Sequence, residues 1–329
     1  MADDMSLDDN IIALPPEGAL TLGDVLSYQF ERLRAIRDAP SDDDIRAVLA
    51  REHYFKTWDR AMAHANERFD RRFEAAADAV VAGDLAALQG LLAEDPALAT
   101  ARSSYGHRQP LLHHVAQNGI ESPRQKSGAP ANMPDIARAL LAAGADPNTT
   151  SQSYGGNDTV LTLLCSSVHP HDAGVQAALV EVLVAGGADV NERDSAPLWT
   201  AITWGYAKAA DALVRCGALP DNLVLAAGAG DLERTRAFAD ELDDTPRRDL
   251  RIPNTTKVLP ARHLLEYALI YAASCNRADV VELLLERGPD LTIREPIYGA
   301  SAVSIAEHHL AARPEYGPLV ELLRARSGG

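Results

Sequence analysis

An apolar run that ends in glycine recurs four times along the chain. In each copy leucine lies in the run before the glycine, joined by alanine in three of the four copies, and aspartate or proline follows the glycine within three residues. The copies read ALLAAGADPN at 139–148, VLVAGGADVN at 182–191, ALVRCGALPDN at 212–222 and LLLERGPDLT at 283–292. Glycine readily adopts the left-handed backbone that commonly ends a helix. A unit that recurs on this scale predicts a repeat architecture.

Two N-terminal segments carry apolar residues at helical spacing but do not fit this unit. The first is predicted to form a helix over about 22–39. The second is predicted to start after Ser41, a suitable N-cap, and to continue to about residue 70. We interpret 21–71 as a helical cap that covers the apolar face of the first repeat, and 1–20 as an acidic flexible tail.

The segments that precede the glycine-ended runs resemble the inner helix of the ankyrin repeat. That helix follows the pattern T-P-L-H-x-A-A-x-x-G. The matching segments are PLLHHVAQNG at 110–119, TVLTLLCSSV at 159–168 and APLWTAITWG at 196–205. The resemblance covers about 72–326. It implies an all-α ankyrin repeat solenoid of six to seven helix–turn–helix repeats over 72–329. It also puts Asn276 in a glycine position, where asparagine is the next-best residue for a left-handed backbone.

Repeats two and three are longer than the family pattern. Repeat two carries about thirteen extra residues between its two helices, within 120–134, and repeat three carries a shorter insertion within 168–175. Because neighbouring repeats stack in register, we expect both insertions at one edge, side by side. Elaborated loops on a rigid scaffold often carry function, although solvated loops without a role are the alternative. The candidate residues here are Arg124, Gln125, Lys126, His169 and His171, with Tyr154 in the hairpin finger between the repeats.

The resemblance also implies a concave groove, lined by inner helices and fingers, through which ankyrin proteins bind protein partners. His113 takes the family's histidine position and is expected to form a hydrogen bond between repeats, whereas His114 is expected to face the groove. Trp204 would be a binding hot spot if exposed, and a packing residue otherwise. The candidate groove contacts are His114, Gln117, Asn118, Ser166, Ser167, Thr203, Trp204 and Tyr206.

Charge and composition narrow the choice of partners and compartment. The chain of 329 residues has a formal net charge of −16, which disfavours nucleic acid and anionic membranes. No apolar run approaches the roughly 20 residues that a membrane span needs. The N-terminus is acidic where a secretory signal would be basic, so we expect a cytoplasmic protein.

Alanine and arginine are abundant relative to lysine, which indicates a GC-rich genome and a bacterial origin. The cysteines form no disulfide framework. Cys165 and Cys275 are interpreted as structural thiols, and Cys216, just before a helix-ending glycine, is expected to be half-buried.

These features favour a non-catalytic scaffold that binds a protein partner. The chain has neither a phosphate-binding loop nor a nucleophile elbow. His169 and His171 lack a second group of metal ligands, so no metal or other cofactor is expected. The alternative is a small-molecule-binding protein or an enzyme with a site formed by the two insertions. There Arg124 would hold an anion and His169 would act as an acid or a base.

Overall fold

The computed structural model describes residues 7–16, 20–36, 39–125, 128–243, 248–253 and 255–327. The chain divides into two compact units, Met1–Ala188 and Asp189–Gly329. Helices dominate both units, and each named strand is two residues long. Among the described residues, no helix has the length and apolar content needed to cross a membrane.

The N-terminal unit begins with helices that pack around small apolar clusters. They are α1 (Leu7–Ile11), α2 (Leu22–Arg34), α3 (Asp42–Glu52) and α4 (Trp58–Met62). Ile11 of α1 is buried among residues of α2 and α3. The described residues 7–16 are therefore not the flexible tail that the sequence predicted. The single second helix to about residue 70 is also wrong, because α3 ends at Glu52 and Tyr54 adopts a left-handed backbone with φ of +62°.

The cap helices begin where their sequences predict. The Thr21 hydroxyl accepts a hydrogen bond from the backbone N–H of Asp24 at the start of α2, and the Asp24 carboxylate accepts one from Thr21 in return. Ser41 caps α3 through the backbone N–H of Asp44. These side chains satisfy donors that the first helical turn leaves unpaired. The strand β1 (Leu20–Thr21) pairs antiparallel with β2 (Arg68–Phe69) and so joins the start of α2 to the chain before the first repeat.

Three helix pairs follow in the N-terminal unit. Repeat one consists of α5 (Arg71–Ala82) and α6 (Leu85–Glu94), followed by a 3₁₀ turn (Pro96–Ala99). Repeat two has a 3₁₀ inner helix (Leu111–Ala116), the short helix α7 (Ser122–Gln125) in its insertion, and the outer helix α8 (Met133–Ala142). Repeat three has α9 (Val160–Cys165), the short helix α10 (Val168–Asp172) and α11 (Gln176–Ala185). Both insertions thus contain a helical turn. The finger between repeats two and three pairs β3 (Thr150–Ser151) with β4 (Asp158–Thr159) around a 3₁₀ turn (Ser153–Gly155).

The C-terminal unit continues the helix pairs. Repeat four has α12 (Glu192–Thr203) and α13 (Ala207–Arg215), and repeat five has α14 (Leu223–Ala229) and α15 (Leu232–Asp240). Repeat six has α16 (Leu264–Ser274) and α17 (Ala278–Leu285), and repeat seven has α18 (Ala302–Leu310) and α19 (Gly317–Ser327). Between repeats five and six lie β5 (Leu250–Arg251) and β6 (Val258–Leu259), which pair antiparallel. Short 3₁₀ turns lie at Glu241–Asp243, Ala261–His263 and Pro314–Tyr316. The prediction of an all-α array of helix–turn–helix repeats is confirmed.

The glycines that close the repeats have the backbone conformation that the sequence predicted. Gly144, Gly187 and Gly217 have φ angles of +97°, +99° and +99°, and Gly288 has +67°. Asn276 takes the glycine position of repeat six with φ of +53°, as predicted. An L side chain is strained at positive φ, and asparagine is among the residues that tolerate it best.

Repeat four contacts more than its nearest neighbour in the C-terminal unit. Arg313, before α19, donates from its guanidinium to the carbonyl oxygen of Gly205 at 3.0 Å. Arg277 of repeat six binds the Asp211 carboxylate at 2.7 Å. In a regular array each repeat contacts only the adjacent ones. Because repeats six and seven also reach repeat four, Gly205 and Tyr206 are buried, while the adjacent Trp204 stays exposed.

Candidate functional site

The structure buries three of the predicted groove contacts in the N-terminal unit. His114 and Gln117 are 0% exposed and Ser167 is 2% exposed. The prediction that these residues face a partner is therefore wrong. The His114 ring lies edge-on to Phe73 of repeat one at 5.9 Å and to His107 at 6.0 Å, measured between ring centroids. Aromatic packing from both sides fills the space that an open groove would leave.

His113 has the role that the family resemblance implied. Its ring is buried, and its Nε2 lies 3.3 Å from the carbonyl oxygen of Asp158 at the base of the next finger. This hydrogen bond joins repeat two to the chain entering repeat three. The prediction of a structural histidine that bonds between repeats is confirmed.

Three other candidates form a hydrogen-bonded line across repeats two and three. The Tyr154 hydroxyl donates to Asn118 Oδ1 at 2.7 Å, and Asn118 Nδ2 donates to Ser166 Oγ at 2.8 Å. Tyr154 is 65% exposed, while Asn118 and Ser166 are half-buried. These side chains remain accessible at the finger and at the ends of the inner helices.

The candidates in the C-terminal unit divide between the interior and the surface. Trp204 is 43% exposed, Thr203 is half-buried, and Tyr206 is only 4% exposed, which contradicts its prediction as a contact. Tyr206 is covered because Trp204 stacks on it at 6.3 Å and the Arg313 guanidinium lies 5.9 Å from its ring centre.

Trp204 has an exposed aromatic neighbour that the sequence did not reveal. Tyr298, which is 54% exposed, meets the Trp204 ring edge-on at 6.1 Å. Tyr298 lies just before Gly299, whose φ of +67° marks the turn into repeat seven. That turn signal was the available clue to a finger position. We call Trp204 and Tyr298 the aromatic patch.

Arg124 is buried and binds carboxylates of the protein itself. Its guanidinium contacts Glu74 Oε2 at 2.6 Å, Asp78 Oδ1 at 2.8 Å and Glu121 Oε2 at 2.9 Å. The second oxygen of Glu121 accepts from His107 Nε2 at 2.9 Å. We call these five residues the Arg124 cluster. The predicted role of Arg124 as the holder of an external anion is wrong, because these internal carboxylates occupy its donors.

The pKa values of the two buried carboxylates of the cluster shift in opposite directions. Burial raises the pKa of Glu74 to about 7, against the lowering effect of Arg124. Burial would also raise the pKa of Glu121, but Arg124 and His107 outweigh it and hold that pKa well below its usual range. The backbone N–H of Gln109 donates to His107 Nδ1 at 3.0 Å. The hydrogen bonds therefore assign the His107 proton to Nε2, which donates to Glu121.

The two insertions line one cleft, as their stacking predicted. Gly128, Ala129 and Pro130 of the first insertion and His169 and Asp172 of the second form its walls, around a volume of about 430 Å³. Val81, Ala82 and Ala173 complete the lining. We call this the insertion cleft.

The other insertion candidates lie around this cleft without lining it. His171 is half-buried, with Nδ1 3.4 Å from Gln176 Oε1. Gln125 is half-buried, and its amide donates to the carbonyl oxygen of Ile120 at 2.7 Å. Lys126 lies outside the described residues. The predicted grouping of Arg124 with the histidines is not observed, since Arg124 turns towards α5 instead.

A larger and more open cleft lies beside the cap helices. It has a volume of about 1170 Å³, and its walls include Tyr54, Trp58, Ser122 and Tyr154. Tyr54 and Tyr154 meet edge-on at 6.1 Å. Sequence reasoning missed this cleft, because it depends on the break after α3 and on contacts between distant segments. Within the residues that the structure describes, no group of three His, Cys, Asp or Glu side chains is arranged to hold a metal ion.

Comparison with known proteins identifies the repeat. A family model of the ankyrin repeat matches residues 266–295, which span most of α16, all of α17 and the turn that follows. Residues 266–295 are an ankyrin repeat. Among solved structures it is similar to the crystal structure of the human ASB11 ankyrin repeat domain, at 22% sequence identity and a TM-score of 0.41, covering 78% of this chain and 97% of that one. No curated protein matches the sequence.

The matched repeat agrees with the helix pairs and with the glycine turns that close them. Ankyrin repeats generally mediate protein–protein interaction, by presenting an extended surface built from successive repeats. The cytoplasmic location and the bacterial origin of this protein stay predictions.

Proposed function

We propose that this ankyrin repeat protein is a non-catalytic scaffold that binds a protein partner, with the aromatic patch at the centre of the contact surface in its C-terminal unit. The exposure of Trp204 and Tyr298 carries this proposal. Aromatic residues make up only 5% of the chain, so leaving two of them in contact at the surface is conspicuous. Exposed tryptophan and tyrosine side chains dominate the binding energy of many interfaces.

The surroundings of the patch support a rigid contact surface. Trp204 rests on the buried Tyr206, and Arg313 fixes the segment below by donating to Gly205. Side chains that are already ordered lose little conformational entropy on binding, which favours affinity. We therefore expect a partner that inserts an apolar or aromatic segment against Trp204 and Tyr298.

The test compares proteins that co-purify with three forms of the full chain. The double variant Trp204→Ala/Tyr298→Ala removes the patch, and Leu219→Ala removes another exposed apolar side chain, 53% exposed, of the same unit. We expect quantitative mass spectrometry to show a protein held by the wild type and Leu219→Ala at least about tenfold more than by the double variant. Equal retention by all three forms would rule out the patch as the binding centre.

The insertion cleft supports a second candidate function, the binding of a small polar molecule. It is bounded by both insertions and presents His169 and Asp172 to its interior. In a thermal-shift screen of anionic and polar metabolites, a ligand at 100 times its Kd would stabilise the wild type by about 2.7 kcal/mol. His169→Ala should lose this effect, and His171→Ala should keep it because His171 does not line the cleft. A screen in which no compound stabilises the wild type would count against the cleft as a ligand site.

A further inference from the structure

The Arg124 cluster holds more carboxylates than its cation can neutralise. The side chains of Glu74, Glu121 and Arg124 are 2%, 0% and 6% exposed, while that of Asp78 is 61% exposed. If both buried glutamates are ionised, the buried part of the cluster carries one excess negative charge. An uncompensated charge in the protein interior is costly, whereas a neutral carboxylic acid is tolerated when it has hydrogen-bond partners.

The cluster is also a polar link between repeat one and the insertion of repeat two, beside the hydrogen bond that the Asn132 amide donates to the Gly83 carbonyl oxygen at 2.8 Å. Glu74 and Asp78 lie on α5, whereas Glu121 and Arg124 belong to the insertion. The bonds from Arg124 to α5 span 46 and 50 residues of sequence. The insertion continues to Gly128, Ala129 and Pro130, which form one wall of the insertion cleft.

We infer that the Arg124 cluster is a proton-dependent clamp: protonated Glu74 keeps the insertion of repeat two closed against α5, and ionised Glu74 loosens it. The protonated carboxyl still accepts from Arg124 and leaves the buried pair of Arg124 and Glu121 neutral overall. Loss of the proton restores the excess charge and favours an open insertion in which water solvates the carboxylate.

Every element packed around Glu74 contributes polar groups. These groups lie on α5, on the insertion, on the segment before repeat two, on the inner helix of repeat two and on the cap. They are Asp78, Glu121, Arg124, Tyr105, His107, His114 and His53. Burial lowers the pKa of His53 to about 4 and that of His114 to about 3, and burial raises the pKa of Tyr105 well above its usual value. None of these three groups changes charge between pH 5 and 7 while the insertion is closed. In that window the raised pKa of Glu74 supports its role as the switching group.

The sign of the effect follows from linkage. In the open insertion Glu74 has an ordinary pKa near 4.3, and in the closed insertion its pKa is raised. Between the two values the closed form binds the extra proton, so closure is favoured at the acidic end of the window. The opening equilibrium constant should rise about tenfold per pH unit from about pH 5 to pH 7, and should level off above pH 7.

Hydrogen exchange of the full-length protein tests this directly. Protection factors of backbone amides in 119–125 and 128–133 are measured from pH 5 to 8 in the wild type, Glu74→Gln and Asp78→Asn. Between pH 5 and 7 we expect wild-type protection to fall about tenfold per pH unit relative to Glu74→Gln, whose uncharged amide cannot titrate, and above pH 7 the two profiles should run parallel. Asp78→Asn is the matched control, since it removes an exposed carboxylate from the same guanidinium, and it should keep the wild-type profile.

Two results would overturn the clamp. One is a wild-type protection profile that runs parallel to that of Glu74→Gln between pH 5 and 7. The other is loss of the pH dependence in Asp78→Asn but not in Glu74→Gln. Should Glu74→Gln fail to fold, the carboxyl carbon of Glu74 in the wild type can be titrated by ¹³C NMR. A midpoint above about pH 6 supports the clamp, and an ordinary glutamate midpoint near 4.3 overturns it.

Discussion

The side-chain amide of Asn191 donates a hydrogen bond to the carbonyl oxygen of Gly217 over 3.0 Å. The Oδ1 atom of the same side chain accepts from the backbone N–H of Leu219 at 2.9 Å. Asn191 ends one glycine-closed sequence copy, and Gly217 closes the next. Within the N-terminal unit Asn148 has the same relation to Gly187, at 2.8 Å. The asparagine after each of these turns therefore binds the glycine turn of the following repeat.

Replacing Asn191 with alanine should lower the free energy of unfolding by about 1–2 kcal/mol, because two hydrogen bonds to backbone groups are lost. Asn191→Asp keeps the acceptor for Leu219 and loses the donor to Gly217, so its loss should be smaller. Urea denaturation of the wild type and both variants measures the differences. An aspartate variant as stable as the wild type would show that the bond to Gly217 contributes nothing.

Alanine substitutions at Gly205 and Gly217 distinguish the cost of backbone strain from the cost of a close contact. Both have positive φ angles, +67° and +99°. A Cβ atom on Gly205 would lie 2.6 Å from the Ser274 carbonyl oxygen, whereas one on Gly217 would meet nothing within 4 Å. Gly217→Ala should therefore cost about 1–2 kcal/mol from strain alone, and Gly205→Ala about 2 kcal/mol more. Thermal denaturation measures both, and equal losses would refute the close contact at Gly205.

Removing the charge of Arg124 should be strongly destabilising. Arg124→Met leaves Glu74 and Glu121 buried without their cation, which costs about 3–5 kcal/mol. Arg138→Met is the control, because Arg138 pairs with Asp135 at the surface, where both side chains are more than half exposed, and such pairs contribute little. Urea denaturation of both variants gives the comparison. A similar, small loss in each would mean that the buried bonds of Arg124 add nothing to stability.

The cysteines should differ in reactivity. Cys165 and Cys275 are buried, and burial raises the pKa of the Cys275 thiol to about 12, whereas Cys216 is half-buried. Since the thiolate is the reactive form, a thiol reagent should modify Cys216 alone in the native protein and all three cysteines in urea. Cys216→Ser should abolish native labelling, and any rapid labelling that persists would contradict the buried placement of the other two.

Buried histidines should make the protein less stable in acid. Burial lowers the pKa of His114 from 6.5 to about 3. The unfolded chain therefore takes up a proton below pH 6.5 that the folded protein refuses, and stability falls as the pH drops from 6.5 towards 3. His114→Phe, whose ring can pack on Phe73, should remove about 1.4 kcal/mol per pH unit from this slope. Urea denaturation between pH 4 and 7 measures it, and parallel profiles would exclude His114 as a contributor.

The sequence predicted the repeats well because their signals are local. Glycine or asparagine at a helix end needs no distant partner to adopt positive φ, and Gly217 and Asn276 do so. The hallmark position of His113 likewise implied a hydrogen bond to the next finger, which forms with Asp158. The position of each insertion followed from repeat length alone.

The failed predictions depend on contacts between distant residues. The apolar spacing of the second cap segment could not reveal its break at Tyr54, where the His53 carbonyl accepts from Gly106 at 2.8 Å. An arginine in an insertion looks the same in sequence whether it binds a ligand or, like Arg124, carboxylates about 50 residues away. His114 was expected on the surface, because nothing nearby in sequence shows that Phe73 of repeat one packs on its ring.

The direct contacts of Arg313 and Arg277 with repeat four have a consequence for how the C-terminal unit folds. An array linked only through adjacent repeats can fray from its end, one repeat at a time. Here, removing repeat seven would also take away the bond from Arg313 to Gly205, three repeats earlier. The C-terminal unit is therefore expected to unfold as one cooperative block, and truncating its last repeat should weaken its first.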